Sequence, residues 1–186
     1  HPILDAKFQV TSDKQLWTDD EIDELIQCYV RAARVAADVG ADFVDIKHCH
    51  GYLLHEFLGA HIRSGRYGGS FENRTKILRQ IINGIRANCN TIDIIVRLSA
   101  FDLVPFRSDP VKSSPGKLGP GIPEEFSHCL PYRYGFGVNS YNPLEYDLTE
   151  THQFIKLCSD LGVKLVSLSA GSPYYNPHIQ RPAAYP

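Results

Sequence analysis

The sequence predicts a parallel α/β fold, and three observations carry the prediction. Amphipathic helical segments alternate with short β-rich apolar runs three times along the 186 residues. The first helix stops at a glycine just before an apolar run, which suits a buried parallel strand. A Pro-, Gly-, Ser- and Tyr-rich segment from Ala100 to Asp147 follows the second run, where parallel folds place their active-site loops. Helices alternating with strands imply right-handed crossovers and a parallel sheet.

Residues 1–17 are expected to be irregular. Thr18-Asp19-Asp20-Glu21 then forms a capping box, with a hydroxyl at the N-cap and a carboxylate three residues on. Ile22, Leu25, Ile26, Tyr29, Val30, Ala33, Ala36 and Ala37 follow at helical spacing, and Gly40 ends the helix. Phe43 to Ile46 is the first strand. Phe71 to Arg86 reads as one helix, with Ile77, Leu78, Ile81, Ile82 and Ile85 on one face, and Ile92 to Leu98 as the second strand. Leu148 to Leu161 is the third helix and Val163 to Leu168 the third strand. A structureless run as long as 100–147 is functional or disordered in a compact domain.

Composition excludes several classes. With 43% hydrophobic residues the chain can bury a core, and a net charge of −2 gives no reason to expect nucleic acid or an anionic membrane as partner. No uninterrupted apolar stretch is long enough to span a bilayer, and the first residues lack the basic-then-apolar pattern expected of a signal peptide. The five cysteines are odd in number and without a CxxC pair, which predicts reduced thiols and a cytoplasmic protein. The chain contains no methionine, not even at its first position, and its last residues read as the inside of a loop. Both features lead to the expectation of a fragment.

Pattern alone leaves two architectures open, a piece of a (β/α)8 barrel or a doubly wound sheet. No GxGxxG or GxxxxGK[ST] follows a strand, which weakens the nucleotide-binding doubly wound form. Three strands cannot close a barrel of about 250 residues, so the barrel also implies a fragment.

The densest polar cluster is Lys47-His48-Cys49-His50-Gly51-Tyr52, directly after the first strand. Lysine and histidine can stabilise negative charge developing on a carbonyl oxygen, and tyrosine can deliver a proton to carbon. His48 and His50 also resemble the HxH zinc pair of barrel hydrolases, although further ligands are not evident. The bland alternative is a core histidine beside a packing tyrosine.

The stretch Val44 to Leu53, then Glu56-Phe57-Leu58, Arg63 and Tyr67-Gly68-Gly69-Ser70-Phe71-Glu72-Asn73-Arg74, strongly resembles the Old Yellow Enzyme (NADH:flavin oxidoreductase) family. Members carry V-E-I-H-x-A-[HN]-G-Y-L, then F-L, then R-x-D-x-Y-G-G-S-x-E-N-R. The likeness continues through Ile94 to Ser99 and ends at Ser169-Ala170-Gly171. It implies a partial (β/α)8 TIM barrel made of strands four to six with their preceding helices. Residues 1–186 are then the central fragment of one FMN-binding domain, with a long insertion at about 100–147. It further implies non-covalent FMN, NAD(P)H as reductant, and a small-molecule substrate with an activated double bond; a homo-oligomer is compatible with this. By matching position, Lys47 and His50 hold the substrate's activating group, Tyr52 protonates carbon, and Arg97 approaches the N1/O2 edge of the flavin. A flavin partner is favoured for Arg97 over a rim ion pair, because an arginine buried unpaired is costly. No metal site is expected. The Tyr67–Arg74 block is scaffold, with Ser70 as a helix cap. Two positions depart from the pattern: Lys47 replaces histidine and Gly65 replaces aspartate. A flavin amine dehydrogenase of the same fold is the alternative activity, and a zinc hydrolase using His48 and His50 a more distant one.

Overall fold

The computed structural model describes residues 1–89, 91–117 and 119–181. Three parallel strands form the main sheet in the order β1 (Phe43–His48), β2 (Asp93–Ser99), β5 (Leu165–Ser169). Lys47 lies opposite Arg97, and Arg97 opposite Ser167. Because side chains alternate along a strand, Val44, Ile46, His48, Ile94, Val96, Leu98 and Val166 share one face. Asp45, Lys47, Ile95, Arg97, Ser167 and Ser169 share the other.

Among the described residues, helices cover the first face alone. The long helix α2 (Asp19–Asp38) begins at the foreseen capping box, with Thr18 accepting from the Glu21 N–H and Glu21 bonding back. It ends as Gly40 N–H and Ala41 N–H bond to the carbonyls of Ala37 and Ala36, both at 2.9 Å. Ile22, Ile26, Val30 and Ala33 on this helix pack with Ile77, Leu78, Ile81, Ile82 and Ile85 of α5 (Lys76–Asn88) and with Ile46, Ile94 and Val96 of the sheet. Phe154 and Cys158 of α6 (Thr149–Asp160) complete this core. Apolar spacing in the sequence thus located the core faces of α2 and α5.

Several boundaries differ from expectation. β1 runs two residues further than Ile46, so Lys47 and His48 belong to the strand and the pleat sends them to opposite faces. The helix expected from Phe71 is divided into α4 (Phe71–Arg74) and α5 at Thr75, whose hydroxyl donates to the Phe71 carbonyl at 2.8 Å. Arg74 next to this break is buried, donating to the carbonyls of Gly69 (2.9 Å) and Leu58 and ion-pairing with Glu150. The short helices α1 (Leu4–Phe8) and α3 (Leu53–Leu58) were not foreseen.

The 100–147 segment is not structureless. It holds an antiparallel pair, β3 (Phe106–Ser108) with β4 (Gly121–Pro123), and a small core of Val104, Cys129 and Tyr132. A final short helix, α7 (Pro177–Gln180), follows β5. All five cysteines are free. Among the described residues no helix is long and apolar enough to cross a membrane.

Candidate functional site at the strand ends

Beyond β1 the chain makes a sharp turn, with left-handed backbone at His50 (φ 66°) and Gly51 (φ 71°). Hydrogen bonds fix it from several sides. The His50 N–H donates to Ser99 Oγ (3.0 Å), Ser172 Oγ donates to the His50 carbonyl (3.0 Å), and the Gly51 N–H donates to His55 Nδ1 (2.8 Å). A Cβ on Gly51 would stand 2.8 Å from Ser172 Oγ and 2.9 Å from a ring carbon of Tyr175, so only glycine fits. The turn is therefore clamped between the end of β2 and the segment after β5.

This geometry gathers the residues singled out in the sequence. His50 Nε2 lies 2.9 Å from Ser169 Oγ, on the open face of β5. Burial first, then the charges of Lys47 and Arg97, lower the His50 pKa, so its imidazole is neutral near pH 7. Lys47 Nζ stands 3.2 Å from the centroid of the Tyr52 ring, a cation–π contact. Tyr52 is the N-cap residue of α3 and 46% exposed, leaving its hydroxyl within reach of a ligand. That hydroxyl also shares a 2.8 Å hydrogen bond with the hydroxyl of Tyr174.

Arg97 forms an ion pair with Asp45, two positions before Lys47 on the neighbouring strand. The sequence argument supplied a flavin as the partner of this charge, whereas the structure offers a protein carboxylate. Its side chain remains 43% exposed on the open face, so donors are still presented outward. The face thus carries two cations and one anion. Such an excess of donors and positive charge suits an electron-rich ring edge that gains charge on reduction, and the residues present fit a flavin.

His48 behaves differently. It is fully buried on the helix-covered face with its ring 5.4 Å from that of Phe154, and burial pushes its pKa down to about 3. His48 and His50 therefore look to opposite sides of the sheet, and two imidazoles so arranged do not converge on one zinc ion. Among the described residues no three His, Cys, Asp or Glu side chains are grouped to share an ion.

The Tyr67–Arg74 block sits apart as scaffold. Tyr67 is buried, its hydroxyl bonded to Asp23 and to Gln80 (2.7 Å), and Ser70 Oγ accepts from the Asn73 N–H at 3.3 Å. At Gly65, where the family pattern has aspartate, a Cβ would lie 2.5 Å from Asp19 Oδ2. The carboxylate comes instead from α2, where Asp19 pairs with Arg63 (2.9 Å) and accepts from the Arg66 N–H (2.6 Å). Burial opposes ionisation of Asp19, but these contacts outweigh it and hold the carboxyl below its usual range.

Sequence reasoning missed Ser169, Tyr174, His55 and Asp102. The signal for the first two was available: Ser169 ends β5 and Tyr174 follows it closely, so the strand-end rule used for Lys47 applies to them as well.

The chain is similar to several known proteins. A profile of the NADH:flavin oxidoreductase / NADH oxidase family matches residues 3–113. An NADH:flavin oxidoreductase of Gibberella zeae is 43% identical over 89 residues, covering 46% of this chain and 22% of that protein. 12-Oxophytodienoate reductase 1 of Oryza sativa subsp. japonica is 38% identical over 123 residues, 59% of this chain and 32% of that protein. An NADPH dehydrogenase of Geobacillus sp. is 40% identical over 90 residues, 47% of this chain and 26% of that protein. The chain thus spans between about a fifth and a third of the length of these relatives. Among solved structures, a 2-naphthoyl-CoA reductase in complex with 2-naphthoyl-CoA superposes with a TM-score of 0.55 at 25% identity, over 83% of this chain and 18% of that one. Histamine dehydrogenase from Rhizobium sp. 4-9 gives 0.54 at 21% identity, over 84% and 18%, a likeness of fold alone. Both are TIM-barrel-like, in keeping with the parallel α/β sheet. This chain belongs to the NADH:flavin oxidoreductase / NADH oxidase family, the Old Yellow Enzyme family, whose members use FMN and take reducing equivalents from NADH or NADPH.

Proposed function

We propose that this chain is the central segment of a single (β/α)8-barrel domain, contributing its fourth to sixth strands, in an FMN-dependent oxidoreductase acting on activated alkenes. The observation that carries the reading is the convergence of Lys47, His50, Tyr52 and Arg97 at the C-terminal ends of two adjacent strands, on the face that no helix covers. When bound, FMN supplies the hydride that reduces the alkene at its β-carbon. Arg97, 43% exposed on this face, would hold the electron-rich edge of the ring by charge and hydrogen bonding. Lys47 and His50 donate to the substrate's electron-withdrawing group, the first as a point charge and the second as a neutral imidazole. Tyr52 donates its hydroxyl proton to the α-carbon. An amine substrate would meet Lys47 and Arg97 as like charges, so alkene reduction is preferred to amine oxidation.

The test is Tyr52→Phe in the intact, flavin-loaded enzyme. Removing one hydroxyl keeps the shape of the site but deletes the proton donor, a loss of ~100-fold or more. Reduction of the flavin by NAD(P)H needs no proton delivered to carbon. Stopped-flow measurements are expected to show a normal reductive half-reaction and a slow oxidative one. Equal slowing of both, or of neither, removes Tyr52 from the reaction.

A further inference from the structure

We infer that His55, held against Asp102, is a positioning residue for the reacting turn and ties that turn to the 100–147 insertion. The inference rests on the functional reading above and extends it to two residues outside the proposed site. His55 is the third residue of α3 and its side chain is 1% exposed. Its Nδ1 accepts the Gly51 N–H at 2.8 Å, one residue after His50 and one before Tyr52. An accepting Nδ1 carries no hydrogen, so the neutral ring has its proton on Nε2. That nitrogen lies 3.2 Å from Asp102 Oδ2, a carboxylate whose side chain is 8% exposed. Asp102 in turn belongs to the insertion: its N–H donates to the Phe136 carbonyl (2.7 Å) and its Oδ2 accepts from the Phe136 N–H (3.3 Å). Polar contacts therefore link the insertion to the amide of Gly51 through the carboxylate and imidazole; Gly51 is hydrogen-bonded to the ring, whereas Nε2 and Asp102 Oδ2 lie 3.2 Å apart without hydrogen-bond alignment.

The arrangement matters because the turn has little intrinsic preference for its shape. His50 and Gly51 both lie in the left-handed region, which side-chain-bearing residues adopt reluctantly. An acceptor fixed at the Gly51 N–H selects that conformation, and with it the directions of His50 and Tyr52. Misplacement of reacting groups by about 1 Å can cost ~100-fold in rate.

The experiment uses the intact, flavin-loaded enzyme in three forms: His55→Phe, His55→Asn and Asp102→Asn. His55→Phe removes the acceptor and is expected to lower kcat of the oxidative half-reaction ~10- to 100-fold, with flavin reduction unchanged. His55→Asn restores an acceptor for Gly51 and is expected to recover most of that loss, which a merely space-filling role does not predict. Nitrogen-15 NMR of the wild-type imidazole adds a readout independent of turnover and of any variant's folding: the Nε2–H tautomer is expected, with a changed signal in Asp102→Asn. An Nδ1–H tautomer, or a His55→Phe enzyme with an unaltered oxidative step, overturns the inference. Tyr52→Phe serves as the control. If it too leaves the oxidative step unaltered, the functional reading has failed; if it alone slows that step, only the role of His55 has failed.

Discussion

His48 shows how far one side chain can shape the response of the molecule to acid. Its imidazole is fully buried, and burial moves its pKa from 6.5 to about 3. In the unfolded chain the same ring takes up a proton at its ordinary value, so below pH 6.5 the unfolded state binds more protons than the native one. Stability is accordingly full above the unfolded pKa and is lost as pH falls toward about 3, by up to about 1.4 kcal/mol per pH unit. Urea unfolding of wild type and His48→Leu across this range is expected to give a flatter pH dependence for the variant. Parallel curves would mean that His48 is not the group responsible. His50, two residues on, is constrained by its backbone instead. At φ 66° it occupies a region in which asparagine and histidine are over-represented among residues other than glycine, and these are the two residues that the family pattern resembled by this chain admits at that position.

The central link among the helices is Arg74. From α4 it reaches the carbonyls of Gly69 and Leu58, near the ends of the preceding loop and α3, and the carboxylate of Glu150 on α6. Removing the guanidinium leaves buried carbonyls unsatisfied and Glu150 without its partner. Because Glu150 is 29% exposed, the cost falls below that of a fully buried pair, at about 2–3 kcal/mol for Arg74→Leu. A denaturation midpoint unchanged from wild type would contradict this. Arg74 was legible in the sequence only as part of a recognisable block, since nothing in its spacing shows that Glu150 is its partner. The helix cores, in contrast, were readable directly, because the 3.6-residue period of Ile77, Leu78, Ile81, Ile82 and Ile85 is a local property. The break at Thr75 was not, for threonine is a permitted helix residue and its bond back to Phe71 competes with the helix only in context. The end of β1 was misplaced for a related reason. Lys47 and His48 are polar or half-polar and appear to terminate an apolar run, yet one faces the open side and the other packs on Phe154. Long-range pairs, Asp45 with Arg97 and His55 with Asp102, join residues 52 and 47 positions apart and left no local mark at all.

At the scale of the whole chain, the decisive feature among the described residues is a sheet covered by helices on one face only. Among the described residues β1 and β5 each have a single neighbour, and Phe43, Leu165 and Leu168 are more than half exposed. Open edges and bare apolar surface favour association. In TIM barrels the phosphate commonly rests on loops after the seventh and eighth strands, whereas the sheet described here has three strands. The 186-residue chain expressed alone is therefore expected to self-associate, and added FMN to leave its thermal midpoint unchanged, as judged by light scattering and a thermal-shift titration. A monodisperse chain that keeps stoichiometric FMN through gel filtration would defeat this expectation. The 100–147 segment has the opposite character. It has its own antiparallel strand pair and its own core of Val104, Cys129 and Tyr132. It leaves and rejoins the scaffold at neighbouring points, where Thr151 Oγ1 donates to the Ala100 carbonyl at 2.5 Å. Such a block can be inherited as a cassette. Exchange or lengthening of this segment between related genes can then leave the strand register untouched, provided each replacement keeps the contacts by which it meets the scaffold, such as the Asp102 carboxylate beside His55 and the Phe106 N–H bonded to the Tyr175 carbonyl.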